Sequence, residues 1–124
     1  MMLDLHTEFT FDSAHKLDGY KGKCCNVHGH SWRVECFFHG DNKYKDNIGI
    51  LVDFGIVKEV KELLDHKYLN DILSANPTAE NITEFIYLYL KKKINDKILI
   101  RVRVYETSIE KETYCEGGDG YENT

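Results

Sequence analysis

Hydrophobic and polar residues alternate along three stretches of the chain, as is typical of strands with one buried face. These stretches are residues 3–11, 31–39 and 98–105. In the second of them Trp32, Val34 and Phe38 share one side, together with Cys36. A weaker fourth strand is predicted at residues 112–115. The pattern therefore predicts two strands near the start of the chain and two near its end.

Two stretches between these strand pairs have apolar residues at the spacing of a helix with one buried side. The first stripe is Val57, Val60 and Leu64, and Asp53 precedes it as a candidate cap. The second helix begins near Pro77. Either Asn76 caps it with Pro77 in the first turn, or Thr78 is the cap. The second stripe consists of Ile82, Phe85, Ile86, Tyr89 and Leu90.

The resulting order, ββααββ, predicts an α+β fold in which a four-stranded antiparallel sheet carries two helices on one face. A chain of 124 residues has room for one core. We therefore expect a single domain over residues 1–124. The hydrophobic share of 42% is enough to build that core and excludes intrinsic disorder.

The charge balance restricts the partners that we expect. With 21 acidic and 16 basic residues, the formal net charge is -5. This argues against nucleic-acid binding and against anionic membrane surfaces. Neither a membrane-spanning run nor a signal peptide is apparent, and the adjacent Cys24 and Cys25 are a poor start for a disulfide framework. We expect a cytoplasmic protein with reduced thiols, in which Cys36 is a small core residue.

Histidines mark the most informative candidate site. His28 and His30 lie two residues apart at the start of the second strand, so both project from the face that Trp32 occupies. His15 follows the first strand with the parity of its buried positions. If the two strands pair as a hairpin, the three imidazoles meet, as in a catalytic zinc site with an open position. The alternative is that they are ordinary polar residues near a turn.

Cys24 precedes this pair of histidines by four residues and admits several roles. It could be a fourth metal ligand, a nucleophile or base, or an inert thiol, and Cys25 is equally plausible on chemistry alone. Basic residues in this region would favour the thiolate of either cysteine. These residues are Lys16, Lys21, Lys23 and Arg33.

Two further candidates lie elsewhere in the chain. Asp65 directly precedes His66, so the carboxylate can orient the imidazole for proton transfer if the side chains meet. The alternative is a helix-end pair that interacts with the helix dipole. Glu106 continues the buried parity of the third strand as a carboxylate, which would suit a ligand with paired N–H donors. The alternative is that the strand ends at Tyr105 and Glu106 is solvated.

Taken together, these positions resemble the 6-pyruvoyltetrahydropterin synthase family, including its 6-carboxytetrahydropterin synthase branch of the queuosine pathway. The similarity covers roughly residues 9–106 and combines several short motifs whose order is specific. The matching segments are residues 11–15, 24–30, 52–54, 64–70, 76–81 and 104–107. The spacing Cys-x-x-x-His-Gly-His, from Cys24 to His30, is similar to the carboxy branch. A pyruvoyl-type or related pterin lyase, or a non-catalytic zinc- or pterin-binding protein, is the alternative on this scaffold.

The resemblance implies a role for each candidate residue. Zn2+ would be held by His15, His28 and His30, with Cys24 as the catalytic thiolate base. Asp65 and His66 would form the accompanying proton-transfer pair. Glu106 would bind the amino-pyrimidine edge of the pterin, and Thr78 is predicted as a second substrate-binding residue. The implied substrate is 7,8-dihydroneopterin triphosphate, and the carboxy branch releases acetaldehyde and triphosphate.

The resemblance also implies the tunnelling fold and a particular assembly. Trimers close a barrel from their sheets, and two trimers stack into a homo-hexamer, a dimer of trimers. Active sites of this family lie between subunits, so the resemblance implies that Asp65 and His66 serve a neighbour's zinc. A small domain with open sheet edges suits such an assembly.

Overall fold

A computed structural model describes residues 1–120 of the chain. Its strands pair antiparallel throughout in the order β1-β2-β3-β4. The predicted order ββααββ is confirmed. The elements are β1 (Met2–His15), β2 (His28–Asp41), α1 (Gly55–Leu64), α2 (Ala79–Lys93), β3 (Leu99–Tyr105) and β4 (Cys115–Gly118).

The hairpin of β1 and β2 is longer than the hydrophobic alternation indicates. The two strands stay in register along their whole length, and the last pair joins His15 to His28. In the sequence the apolar alternation stops at Phe11, because the next two inward positions of β1 hold Ser13 and His15. Both are buried although they are polar. β1 therefore continues four residues beyond Phe11 and ends at His15, in the candidate site.

One face of the sheet packs under both helices and forms the core. The inward residues of β2 and β3 are fully buried, as the alternation predicts: Trp32, Val34, Cys36, Phe38, Ile100, Val102 and Val104. Val57, Val60 and Leu64 of α1 are buried against them, as are Ile82 and Ile86 of α2. Within residues 1–120, no helix is long and apolar enough to cross a membrane.

A side-chain hydrogen bond lies at the start of each helix. The carboxylate of Asp53 accepts the backbone N–H of Gly55 at 2.8 Å, although Phe54 occupies the N-cap position itself. At α2, Thr78 is the cap, because its hydroxyl accepts the N–H of Asn81 at 3.1 Å. Of the two starts that the sequence allows for α2, the structure has the one at Thr78.

The prediction for the last strand is wrong, because β4 begins at Cys115, where the predicted segment ends. The strand consists of Cys115, Glu116 and two glycines, which the alternation of apolar residues cannot register. The glycines are needed because β4 runs close to its neighbours. A Cβ on Gly118 would lie 2.9 Å from Cα of Arg101, and one on Gly117 would lie 3.3 Å from Thr83.

Candidate functional site

Three histidines converge at the end of the β1–β2 hairpin. One ring nitrogen from each of His15, His28 and His30 lies within 4.8 Å of the other two. Nε2 of His15 is 3.0 Å from Nε2 of His28. The register explains the cluster, since His15 pairs directly with His28 and Ser13 pairs with His30. The predicted meeting of the three imidazoles is thus observed, and whether they hold a metal stays a prediction.

In two of these rings, a hydrogen bond to a backbone carbonyl determines which nitrogen is free. Nδ1 of His15 lies 2.7 Å from the carbonyl oxygen of Pro77, and Nδ1 of His28 lies 2.7 Å from that of Asn26. A carbonyl only accepts, so each Nδ1 carries the proton and each Nε2 carries a lone pair. This is the arrangement that protein carbonyls impose on metal-ligating histidines.

The surroundings of His15 and His30 favour the neutral form of each ring. Burial lowers the pKa of His15, against the opposing effect of its bond to Pro77. Burial likewise lowers the pKa of His30, against the opposing charge of Glu106. The edge-on ring of Trp32 lies 5.0 Å from His15 and 5.2 Å from His30 between centroids, and forms an apolar wall. Neutral imidazoles are the form that binds metal ions.

One nitrogen of the histidine cluster is left without a partner in the described part of the chain. Nε2 of His30 is buried and has no hydrogen-bond partner among residues 1–120. Such a group normally finds a partner, because leaving it unpaired costs about 1–3 kcal/mol. Three convergent imidazoles, one of them with a buried unpartnered nitrogen, suit a divalent metal such as Zn2+.

Glu106 lies just beyond β3 with its carboxylate turned towards the histidines. Its Oε1 is 3.6 Å from Nε2 of His15 and 3.6 Å from Nε2 of His30. The strand does end at Tyr105, and the Glu106 side chain is 50% exposed. Both readings of the sequence thus hold in part: the residue reaches solvent, and it also faces the cluster.

The two adjacent cysteines lie in a short 3₁₀ turn, Lys23–Cys25. Cys24 is half-buried, whereas Cys25 is exposed and lies 3.9 Å from the side chain of Asn26. A hydrogen bond of 2.8 Å from Leu17 N–H to the Cys24 carbonyl ties this turn to the chain just after His15. The group of histidines within 4.8 Å of one another includes neither thiol.

The other cysteines and the basic residues show a simpler pattern. All four cysteines are free thiols, and burial raises the pKa of Cys36 to about 12, as expected of a core residue. Arg33 does not belong to the site, so its inclusion among the site's basic residues is wrong. It lies on the opposite face of β2 from His30 and pairs with Glu8 at 2.7 Å. Lys16 pairs with Asp18 at 3.5 Å.

Asp65 and His66 form a second cluster at the end of α1. Nδ1 of His66 is 3.0 Å from Oδ2 of Asp65, so the side chains do meet. The other carboxylate oxygen accepts the N–H of Asp12 at 2.9 Å. That bond is the main cause of a lowered Asp65 pKa, to which His66 adds. His66 has a positive φ of 56°, and its side chain is 79% exposed, so the ring is open to solvent.

Hydrogen bonds fasten this second cluster to β1. The N–H of His66 donates to the carbonyl of Asp12 at 2.7 Å, and the N–H of Ala14 donates to that of Lys67 at 3.0 Å. Between them the buried hydroxyl of Ser13 donates to the carbonyl of Leu64 and accepts the N–H of Lys67. Ser13 was not predicted as part of the site, although a polar residue at a buried position of the alternation was the available signal.

The two clusters do not meet within one chain. Among the described residues, no hydrogen bond or ion pair joins Asp65 or His66 to the three histidines. Thr78 belongs to the histidine side, since it follows Pro77, whose carbonyl holds His15. Its hydroxyl is used as the cap of α2 and its side chain is half-buried. One chain therefore presents two separate halves of the predicted site.

The sheet with two helices on one face, and the histidines at the end of its first hairpin, define a small α+β domain of the tunnelling fold. Solved structures match it over nearly the whole chain. The 6-pyruvoyl tetrahydropterin synthase of Caenorhabditis elegans has a TM-score of 0.74 over 97% of both chains at 19% identity. That of Plasmodium vivax has a TM-score of 0.67 over 96% of this chain and 99% of its own, at 20% identity.

The chain belongs to the 6-pyruvoyl tetrahydropterin synthase family, because the sequence model of that family matches residues 4–116. Its relatives include two that are named 6-carboxy-5,6,7,8-tetrahydropterin synthase. That of Synechocystis sp. is 36% identical over 71% of this chain and 74% of its own. That of Haemophilus influenzae is 31% identical over 93% of this chain and 98% of its own. A putative one from Archaeoglobus fulgidus is 40% identical over 86% and 88%. The predicted family and fold are confirmed.

Proposed function

We propose that this protein is a zinc-dependent 6-carboxy-5,6,7,8-tetrahydropterin synthase over a single domain of residues 1–124. It converts 7,8-dihydroneopterin triphosphate to 6-carboxytetrahydropterin with release of acetaldehyde and triphosphate, in queuosine biosynthesis. The observation that carries the proposal is the convergence of His15, His28 and His30, of which backbone carbonyls leave Nε2 of the first two with a lone pair. The relatives that bear this name support the choice of branch.

His15, His28 and His30 would hold the zinc, with the carbonyls of Pro77 and Asn26 fixing the first two rings. The bound ion would act as a Lewis acid on the hydroxyls of the substrate side chain. The apolar wall of Trp32 keeps water away from one side of the site. Two other parts of the chain then supply proton transfer and substrate binding.

Cys24 would remove the substrate proton as a thiolate, since its half-buried turn is tied to the chain beside His15. In the proton-transfer pair, His66 holds a proton on Nδ1 against Asp65, which leaves its Nε2 to exchange protons with the reaction. Glu106 would accept N–H groups of the pterin ring, and Thr78 would add a second contact near it. These assignments follow the motifs and fit the positions that the side chains occupy.

The assembly that we propose is a homo-hexamer, a dimer of trimers, in the cytoplasm. The separation of the two clusters within one chain supports a site completed by a neighbour, in which Asp65 and His66 act on another subunit's substrate. We expect a small-molecule pterin triphosphate as the partner, and neither nucleic acid nor a membrane.

Product analysis tests this proposal most directly. The zinc-loaded protein, incubated with 7,8-dihydroneopterin triphosphate, should release acetaldehyde and triphosphate in equal amounts and form the 6-carboxy pterin. A pyruvoyl product without acetaldehyde would assign the chain to the pyruvoyl branch. Zinc binding without any turnover would instead indicate a non-catalytic binding protein. A His28→Ala variant serves as the matched control for metal-dependent turnover.

A further inference from the structure

Glu106 faces the histidine cluster without a hydrogen bond of its own among residues 1–120. Its close polar neighbours are Nε2 of His15 and Nε2 of His30, each 3.6 Å from Oε1. Both distances are longer than a hydrogen bond. The carboxylate is half exposed, so it could turn to solvent, yet it points towards the rings.

Two of the atoms that face each other here, Nε2 of His15 and Oε1 of Glu106, are acceptors. Nδ1 of His15 carries the proton, because it donates to the carbonyl of Pro77, so its Nε2 presents a lone pair to the Glu106 carboxylate. Two acceptors at this distance repel one another unless a cation lies between them. Nε2 of His30 is buried without a partner and faces the same oxygen. A cation bound among these three groups would relieve the repulsion at His15 and would give Nε2 of His30 a partner.

The spacing is that of ligands around one metal ion. Two ligands bound at about 2.0–2.2 Å in tetrahedral geometry lie about 3.3–3.5 Å apart. The separation of 3.6 Å between Oε1 and each imidazole nitrogen is close to this value. Glu106 does not belong to the group formed by His15, His28 and His30, whose ring nitrogens lie within 4.8 Å of one another. It therefore lies at the edge of the site, on the side of His15 and His30, within reach of a small side-chain rotation.

We infer that Glu106 is a fourth protein ligand of the metal when no substrate is bound, and that the same carboxylate leaves the metal to receive the N–H groups of a pterin. The inference rests on the proposed function, and it adds a second role to the pterin-binding residue. One carboxylate cannot do both at once, so pterin binding opens the fourth coordination position. Without substrate, Glu106 would thereby help the enzyme to retain its metal. The fourth coordination position would become free only when a pterin ring is bound.

Metal binding without turnover tests this inference. Zinc affinity is measured by competition with a chelating dye for the wild-type protein, Glu106→Gln and Glu110→Gln. Glu110 is exposed, lies in the same loop and controls for the loss of one negative charge. We expect Glu106→Gln to bind zinc about 10- to 100-fold more weakly. Glu110→Gln should bind it like the wild type.

Cobalt substitution then reports on the ligands themselves. The visible spectrum of the Co2+ form should differ between wild type and Glu106→Gln, because water replaces the carboxylate. Adding 6-methyl-7,8-dihydropterin, which has the ring without the reactive side chain, should move the wild-type spectrum towards that of the variant. Equal zinc affinity and identical cobalt spectra would overturn the inference while leaving the proposed function intact. Failure of the wild type to bind zinc would overturn both.

Discussion

The neighbouring thiols of Cys24 and Cys25 differ in their surroundings, although they are adjacent in one 3₁₀ turn. Cys24 is half-buried in a turn whose backbone is bonded to the chain just after His15, whereas Cys25 is exposed. A base must be held within hydrogen-bond reach of the proton that it removes. We therefore expect Cys24→Ala to abolish turnover, with a loss of at least about 100-fold, the lower end of what a general base contributes. Cys25→Ala should keep most of it, with acetaldehyde release as the measurement.

Unchanged zinc content is the control for both cysteine variants, since the three-histidine group contains no thiol. A loss of zinc from Cys24→Ala would make this residue a ligand rather than a base. Inactivity of Cys25→Ala beside an active Cys24→Ala would exchange the roles of the two thiols.

Asp119 is a second residue whose surroundings support a quantitative prediction. Its carboxylate accepts hydrogen bonds from the hydroxyl of Tyr87 at 2.6 Å, the N–H of Ile100 at 2.9 Å and the ammonium of Lys91 at 3.0 Å. Burial alone would raise its pKa, but these bonds outweigh burial and lower it. The same contact raises the pKa of Tyr87 to about 12.

A lowered carboxyl pKa in the folded state contributes stability above the unfolded value, near pH 4, and this contribution disappears as the pH falls further. We therefore expect Asp119→Asn to lower the free energy of unfolding by about 1–2 kcal/mol at pH 7. The difference from wild type should shrink below about pH 4, as followed by urea unfolding at several pH values. Asp96→Asn is the control, because Asp96 is exposed and unbonded within the described chain. A pH-independent difference would contradict this account.

At the scale of elements, β4 depends on a glycine at which a Cβ cannot be added unless the backbone shifts. Gly118 has φ of 132°, and a Cβ there would meet the backbone of Ile100 and Arg101. Gly49 has φ of 91° with nothing within 4 Å of a Cβ, so it shares the strained conformation without the contact. We expect Gly49→Ala to cost about 1 kcal/mol of unfolding free energy and Gly118→Ala about 1–3 kcal/mol more. Chemical denaturation measures both, and equal costs would exclude the backbone contact as the cause.

An element could be predicted from the sequence where the residues of its buried face are apolar and periodic. The helices and the first three strands were predictable because their buried faces are apolar and periodic, as in the stripe of Val57, Val60 and Leu64. The ends of β1 and β4 were not. Ser13 and His15 are polar on a buried face, and glycines carry no hydrophobic signal, so close packing decided both ends.

The candidate site divides in the same way. The meeting of His15 with His28 was predictable, because strand parity and a hairpin are enough to bring them together. The carbonyls of Pro77 and Asn26 were not, since backbone groups leave no mark in a sequence. The clamp at Ser13, which joins β1 to the segment after α1, depends on contacts distant in the chain.

At the scale of the whole molecule, the sheet face turned away from the helices carries paired charges. Glu35 is 8% exposed and accepts a hydrogen bond of 2.5 Å from Tyr105, and Arg103 pairs with Glu116 at 2.7 Å. Charged groups satisfied among themselves need no apolar cover. Such a face can line a water-filled interior, which fits the proposed ring of sheets in a trimer.

The proposed assembly makes a prediction that a monomeric enzyme would not. If one subunit provides His15, His28 and His30 while its neighbour provides Asp65 and His66, variants defective in different halves should complement each other. His28→Ala and His66→Ala should each be inactive alone. After dissociation and reassembly of an equal mixture, about one quarter of the sites would pair an intact histidine cluster with an intact Asp65–His66 pair.

Acetaldehyde release from the reassembled mixture, relative to wild type, measures this fraction. Mixing His28→Ala with His30→Ala is the control, because both changes damage the same cluster and no arrangement of such subunits yields a complete site. Activity in that control, or none in the first mixture despite verified subunit exchange, would place all the residues of one site within one chain. Because the histidine cluster and the Asp65–His66 pair share no hydrogen bond or ion pair within the described chain, we expect restored activity only when the two damaged halves differ.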